Sequence, residues 1–231
     1  VYVDGKLGKA LDFDGVNNEV TIADDIDLRI ASGEDLTISF WVKTTDASLS
    51  IDMIVKRVGG NANFWLVRYG NGVTAGIIRM QIKEGAGDTA ISDSSVTIND
   101  GLYHHIIASY KASTGRCSIF VDGIDRTTAS TDKIDQVVPN TNPVSIGRGL
   151  ISGGFFDGEL DELRIYKRVL SQAEITNLFN NIKPSLRDFT MEEEEAVASG
   201  SSSGACTAFY IGTNPGGAND CDLIIGTQWA F

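Results

Sequence analysis

The sequence predicts an all-β fold, an antiparallel jelly-roll sandwich with one short C-terminal helix and an appended strand-containing tail. Three observations carry that prediction. Short runs of alternating apolar and polar residues recur along the chain, 25 glycines against only four prolines punctuate them, and one late stretch alone has helical periodicity.

The alternation is cleanest in Leu36-Thr-Ile-Ser-Phe-Trp-Val-Lys43, where Ile38, Phe40 and Val42 share one face and Thr37, Ser39, Trp41 and Lys43 the other. Similar runs occur at Ala10–Phe13, Glu19–Ile22, Met53–Lys56, Phe64–Tyr69, Ile77–Ile82, Tyr103–Tyr110, Cys117–Val121, Pro143–Ile146 and Glu159–Tyr166. Strands this short, separated by turn residues, indicate a sandwich or jelly roll. Ser118–Val121 runs into Asp122-Gly123 and on to Ile124, which puts a glycine where a tight hairpin turn needs positive φ. The helical exception begins at Ser171, an N-cap with Glu174 three residues on, followed by Ile175, Leu178 and Phe179 as its apolar stripe and preceded by Leu170 as a staple.

After Lys183-Pro184 the composition changes. Residues 1–183 form the sandwich; 184–204 read as an acidic, then Ser/Gly-rich linker; 205–231 are a poorly charged tail. Phe209, Tyr210 and Ile211, then Leu223, Ile224 and Ile225, form two strand-like runs, and Trp229 and Phe231 close the chain. Such apolar residues need a surface to cover. Cys206 and Cys221 bracket a Gly/Asn/Pro-rich stretch, so they are expected to form a disulfide, the alternative being two unpaired thiols, while Cys117 stands alone in a strand. A disulfide points to an oxidising location, and a start at Val1 rather than Met points to a processed chain.

Composition also narrows the partners. Nineteen Lys and Arg against 31 Asp and Glu give a net charge of -12, whose field repels nucleic acid and anionic lipid. No apolar run approaches the roughly 18 residues that would span a bilayer. His104 and His105 are adjacent on a strand and face opposite ways, so they cannot chelate one ion together. No Gly-x-Ser-x-Gly, Cys-x-x-Cys or phosphate-loop pattern is present.

Three ordered stretches resemble the laminin-G-like jelly rolls of the concanavalin A-like lectin/glucanase superfamily. They are Gly8-Lys-Ala-Leu-Asp-Phe-Asp-Gly15 with Val20; Leu36–Lys43 with Gly101-Leu-Tyr-His-His-Ile106 and Phe120-Val-Asp-Gly123; and Phe156-Asp-Gly-Glu-Leu-Asp-Glu-Leu-Arg-Ile-Tyr166 leading to Leu170-Ser171. The resemblance spans about residues 5–182. It implies a structural calcium held by Asp14 and Asp161 with main-chain carbonyls, the bland alternative being that both carboxylates accept turn amides. Asn17, Asn18 and Glu19 stand where the family carries more acidic or aromatic residues. The superfamily also contains glycosidases, and Glu159 with Asp161 mimics their strand motif. Leu163 and Arg164 follow, however, so the third acid is missing and an enzyme is not expected.

Two non-catalytic roles remain. A calcium-dependent carbohydrate-binding adhesion domain would use aromatic platforms, and Trp41, Trp65, Tyr69 and Tyr103 are the candidates, although packing within the sheets carries more weight for each. The favoured expectation is a self-assembling extracellular, cell-surface or virion-surface subunit. Family members carry a leading strand before the first motif, of which Val1–Asp4 is the remnant here, and a sheet edge left unpaired would accept the tail of another copy, the alternative being that the tail docks on its own domain.

Overall fold

The structure, a computed structural model, describes residues 1–57, 63–85, 88–128, 130–133, 140–149 and 153–180, and the backbone of two tail strands at 208–211 and 222–224. In chain order these form β1 (Tyr2–Asp4), β2 (Lys9–Asp14), β3 (Val20–Ile22), β4 (Leu36–Lys43), β5 (Ile51–Arg57), β6 (Phe64–Tyr69), β7 (Ile78–Glu84) and β8 (Asp88–Asp93). Then come β9 (Tyr103–Lys111), β10 (Arg116–Val121), β11 (Ile124–Asp125), β12 (Val144–Ile146), β13 (Asp157–Tyr166), α1 (Gln172–Phe179), β14 (Ala208–Ile211) and β15 (Asp222–Ile224).

Two sheets face each other. The first runs β1-β2-β13-β4-β9-β10-β11, with β14 beside β13 and β15 beside β14; the second runs β3-β12-β5-β6-β7-β8. Ile38, Phe40, Val42, Ile106 and Ile165 of the first meet Met53, Ile54, Trp65, Val67, Ile78 and Met80 of the second in one buried cluster. Truncating one such side chain to Ala costs about 2–5 kcal/mol.

The predicted strands are all present, and three further ones appear. The Asp88–Asp93 strand escapes sequence reading because its inward positions are only Ala90 and Ser92, too small and too mixed to give an apolar stripe. The Asp122-Gly123 turn forms as expected, with Phe120 opposite Asp125. At α1 the Ser171 hydroxyl accepts from the Glu174 amide while the Glu174 carboxylate accepts from the Ser171 amide at 2.8 Å. Ile175 and Leu170 pack on Ile107 and Tyr166, so the helix lies on the outward face of the first sheet.

Two irregularities set which side chains face where. In β13 Asp161 opposes Trp41 but Arg164, not Leu163, opposes Ser39, and Glu162 takes a φ of 54° at that bulge. In β5 the register likewise shifts between Asp52 and Ile54.

The short leading strand is present: β1 pairs with β2, Tyr2 opposite Leu11, and is itself the edge of the first sheet. The place the tail takes is elsewhere. β2 covers β13 only over Asp157–Leu160, and β14 continues along the other half, with Leu163 opposite Ile211 and Tyr166 opposite Ala208. β15 runs parallel to β14, Phe209 opposite Leu223 and Tyr210 opposite Ile224. The strand expected to seek a neighbouring subunit is thus paired within its own chain. The linker, Cys206, Cys221, Ile225, Trp229 and Phe231 lie outside the described residues.

Candidate binding face

The second sheet turns outward a mixed face, with a charged row at one end and a buried apolar cluster of Val55, Phe64 and Leu66 beside it. Along β7 the inward Ile78, Met80 and Ile82 alternate with Arg79, Gln81 and Lys83; along β6 the inward Trp65, Val67 and Tyr69 alternate with Phe64, Leu66 and Arg68. The shift in β5 brings Asp52, Val55 and Arg57 to the same side, opposite Arg68, Leu66 and Phe64.

Cross-strand register sorts these side chains into rows. The first is Asp52–Arg68–Arg79–Asp93, directly opposed across β5, β6, β7 and β8. The second is Ser145–Val55–Leu66–Gln81–Ile91, and the third Arg57–Phe64–Lys83–Thr89, in which the Arg57 guanidinium sits 4.4 Å over the Phe64 ring. Four cations, Arg57, Arg68, Arg79 and Lys83, therefore share a face with two carboxylates, in a chain whose net charge is -12.

The two central arginines are held differently. Arg79 is clamped by Asp93 through both Nε (2.6 Å) and Nη2 (2.9 Å), and Asp93 also accepts from Asn71 Nδ2 at 3.0 Å. Burial pushes the Asp93 carboxyl up, but the Arg79 and Asn71 hydrogen bonds outweigh it and hold it below the usual range. Arg68 donates to Asp52 Oδ1 through Nε alone, at 2.5 Å. Asp52 is fully buried and its Oδ2 has no hydrogen-bond partner, while the Arg68 side chain keeps 18% of its surface exposed. Ser145 Oγ, on the neighbouring row, is also buried without a partner.

The aromatic candidates are placed elsewhere. Trp65 and Tyr69 lie between the sheets, Tyr69 donating to the Asp46 carbonyl and pushed up to about 12 by burial. Trp41 is only 2% exposed, stacked on Phe179 at 5.8 Å with Lys6 Nζ 4.8 Å over its ring. Tyr103 is half-buried and donates to Glu159 Oε2. None of the four is an exposed platform, which corrects the glycan contacts expected from sequence; side chains in a strand of alternating phase do not announce which face a helix will cover.

Asp14 and Asp161 do not meet either. Asp14 opposes Asp157, and Asp161 lies four residues further along β13, roughly 13 Å at the rise of a strand. Asp14 Oδ1 accepts the amides of Val16, Asn17 and Asn18 at 2.9, 3.1 and 3.3 Å, which hold its carboxyl low. Asp161 Oδ2 accepts the Leu7 amide at 2.8 Å, its Oδ1 is buried without a partner, and burial pushes it up to about 6. Gly5 has to be glycine, since a Cβ there would stand 2.5 Å from Asp161 Oδ2. The two aspartates therefore do not fit one shared ion, and no group of three His, Cys, Asp or Glu able to hold a metal occurs among the described residues.

Glu159, the other half of the glycosidase-like motif, is bound by Lys43 at 2.7 Å and by Tyr103. His104 bridges Asp122 (2.7 Å) and Asp100 (3.1 Å), whereas His105 is buried on the opposite side against Ser39 at 3.1 Å, its pKa lowered to about 3 by burial and then by Arg164. Cys117 is a free thiol buried in the core.

Comparison with known proteins follows the fold. A family model described as the concanavalin A-like lectin/glucanases superfamily matches residues 14–176. Among solved structures, the binding domain of Paraclostridial Mosquitocidal Protein 1 superposes with a TM-score of 0.62 at 19% identity, over 80% of this chain and 46% of that one. Domain 4 of AbnA, an extracellular arabinanase from Geobacillus stearothermophilus, solved in complex with arabinotriose, gives 0.55 at 20% identity over 77% and 79%. Mouse laminin α1 domains LG4-5 give 0.52 at 17% identity over 68% and 42%. The chain thus spans less than half the length of the first and the last of these.

Proposed function

This chain belongs to the concanavalin A-like lectin/glucanase superfamily, and from that premise we propose that it is a non-catalytic carbohydrate-binding module acting outside the cytoplasm, with the outward face of the second sheet as its glycan surface. The observation that carries this reading is the row Asp52–Arg68–Arg79–Asp93 with Gln81 and Lys83 beside it. Fixed guanidinium and amide donors on a rigid sheet suit the hydroxyls and oxyanions of a sugar.

Several features support the reading. Glu159 and Asp161 are occupied, one in an ion pair and one clamping the turn before β2, which favours binding over hydrolysis. The arabinanase domain was solved with a bound oligosaccharide, and other relatives of the fold are the binding domains of toxins. No helix among the described residues is long and apolar enough to cross a membrane.

A glycan array probed with the whole chain tests the proposal. Arg79→Met and Gln81→Ala are expected to weaken whichever signal is found by about tenfold each, and silence across the array overturns the reading. Repeating the array in chelator decides the calcium expectation, since unchanged binding removes it. A second reading, self-assembly, is favoured by one observation: β14 completes only four residues of a sheet edge that a second copy presents equally well. Deleting 205–231 and weighing the product by analytical ultracentrifugation separates the two, because oligomers that persist without the tail sink it.

A further inference from the structure

We infer that Arg68 is the receptor for a carboxylate, so that the glycan taken by the second sheet is an acidic sugar of the uronic-acid class. The inference rests on the proposed carbohydrate-binding face and names its ligand.

A chain with 31 acidic and 19 basic residues would by chance turn an acidic surface outward, yet this face carries Arg68, Arg79 and Lys83 against Asp52 and Asp93, with the buried Arg57 packed over Phe64 beside them. A local excess of cations on an acidic protein draws an anionic ligand to that face and away from the rest.

Geometry then singles out one of the four. Arg79 spends its planar edge on Asp93 through Nε and Nη2, and Arg57 lies flat on Phe64. Arg68 uses Nε only, and among the described residues its two Nη nitrogens have no hydrogen-bond partner. The fully buried Asp52 fixes the plane of the guanidinium from behind, so the unused edge is already oriented and loses little freedom on binding. An edge of two parallel N–H donors matches the two oxygens of a carboxylate.

The surroundings are those of a sugar rather than a bare anion. Gln81, partly exposed, stands on the adjacent row and offers an amide to ring hydroxyls. Lys83 lies four residues beyond Arg79 on β7, roughly 13 Å along the strand, where a further acidic residue of a linear oligosaccharide would fall. Among the described residues Lys83 makes no ion pair of its own.

Isothermal titration of the whole chain tests this with three matched probes: an oligogalacturonate, its carboxyl-reduced neutral counterpart and a sulfated form of that neutral oligomer. The oligogalacturonate is expected to bind about tenfold more tightly than the neutral form, in a salt-sensitive way. Arg68→Lys keeps a positive partner for Asp52 but removes the planar fork, and should abolish most of that preference at unchanged Tm. Lys83→Met should cost about threefold on the acidic oligomer alone. Equal affinity for acidic and neutral forms overturns the inference while leaving the glycan reading standing. Tighter binding of the sulfated form also overturns it, since charge rather than carboxylate shape would then decide. No binding to any of the three, together with a silent array, overturns both.

Discussion

The two outward faces of the sandwich began from the same alternating pattern and ended in opposite states. On the first sheet the row Asp161–Trp41–His105 runs across β13, β4 and β9, and α1 closes over it, with Phe179 stacked on Trp41 and tilted against His105. On the second sheet the row Asp52–Arg68–Arg79–Asp93 is held by its own ion pairs and stays partly exposed at both arginines. A polar row under an apolar helix becomes part of the stability of the fold, whereas a row that neutralises itself can keep donors for a ligand. On the first face what decides is the route of the chain after Tyr166, which lays α1 over the row.

If the helix-covered row is structural and the charged row of the second sheet functional, changes to the two should separate cleanly. The largest effect is expected from Trp41→Ala, which empties the space under Phe179 and should cost about 3–5 kcal/mol, read by calorimetry, while glycan binding by the fraction that folds stays unchanged. Asp52→Ala comes next. It strands Arg68 beside a buried site and should cost about 3 kcal/mol, but here binding should fall as well, because the guanidinium loses its orientation. Should Trp41→Ala impair binding and Asp52→Ala leave it intact, the assignment of the two faces is reversed.

Smaller and more diagnostic is the response to pH. Asp161, raised to about 6, holds its proton longer when folded than when unfolded, so its contribution to stability declines as pH rises from about 4 to 6. His105, lowered to about 3, stays neutral when folded, so its contribution is complete above about 6.5 and is lost as pH falls towards 3. Between pH 4 and 6 the two slopes oppose each other across the Trp41 ring. Asp161→Asn should therefore leave stability rising with pH in that window, and His105→Gln should leave it falling; parallel melting curves for both variants would contradict the row. The smallest effect is expected at the helix cap, where Ser171→Ala should cost about 1 kcal/mol, a Tm shift of roughly 2–4 °C with no change in binding.

The sequence allowed the ten main strands and the α1 cap to be located because their signals are local: Ile38, Phe40 and Val42 alternate within eight residues, and Ser171 and Glu174 cap each other across one turn. The binding face was not legible for a matching reason. Arg68 and Arg79 become neighbours only through cross-strand register, which no single strand encodes. The aromatic candidates failed for the converse reason, since Trp41 sits on the outward phase of β4 as expected but lies under a helix more than a hundred residues later in the chain. Asp14 and Asp161 are each well placed on neighbouring strands, and only the register of β2 on β13 separates them.

The shift in β5 has a consequence for how this surface can vary. Ile54 faces the core, and in a regular strand Asp52, two residues earlier, would face it too. The additional residue, Met53, turns Asp52 outward into line with Arg68. One residue of strand length thus acts as a phase setting for the whole row. A chain of this fold without that residue would keep the sandwich while carrying a differently wired face, with Asp52 turned into the core and Arg68 left without its partner.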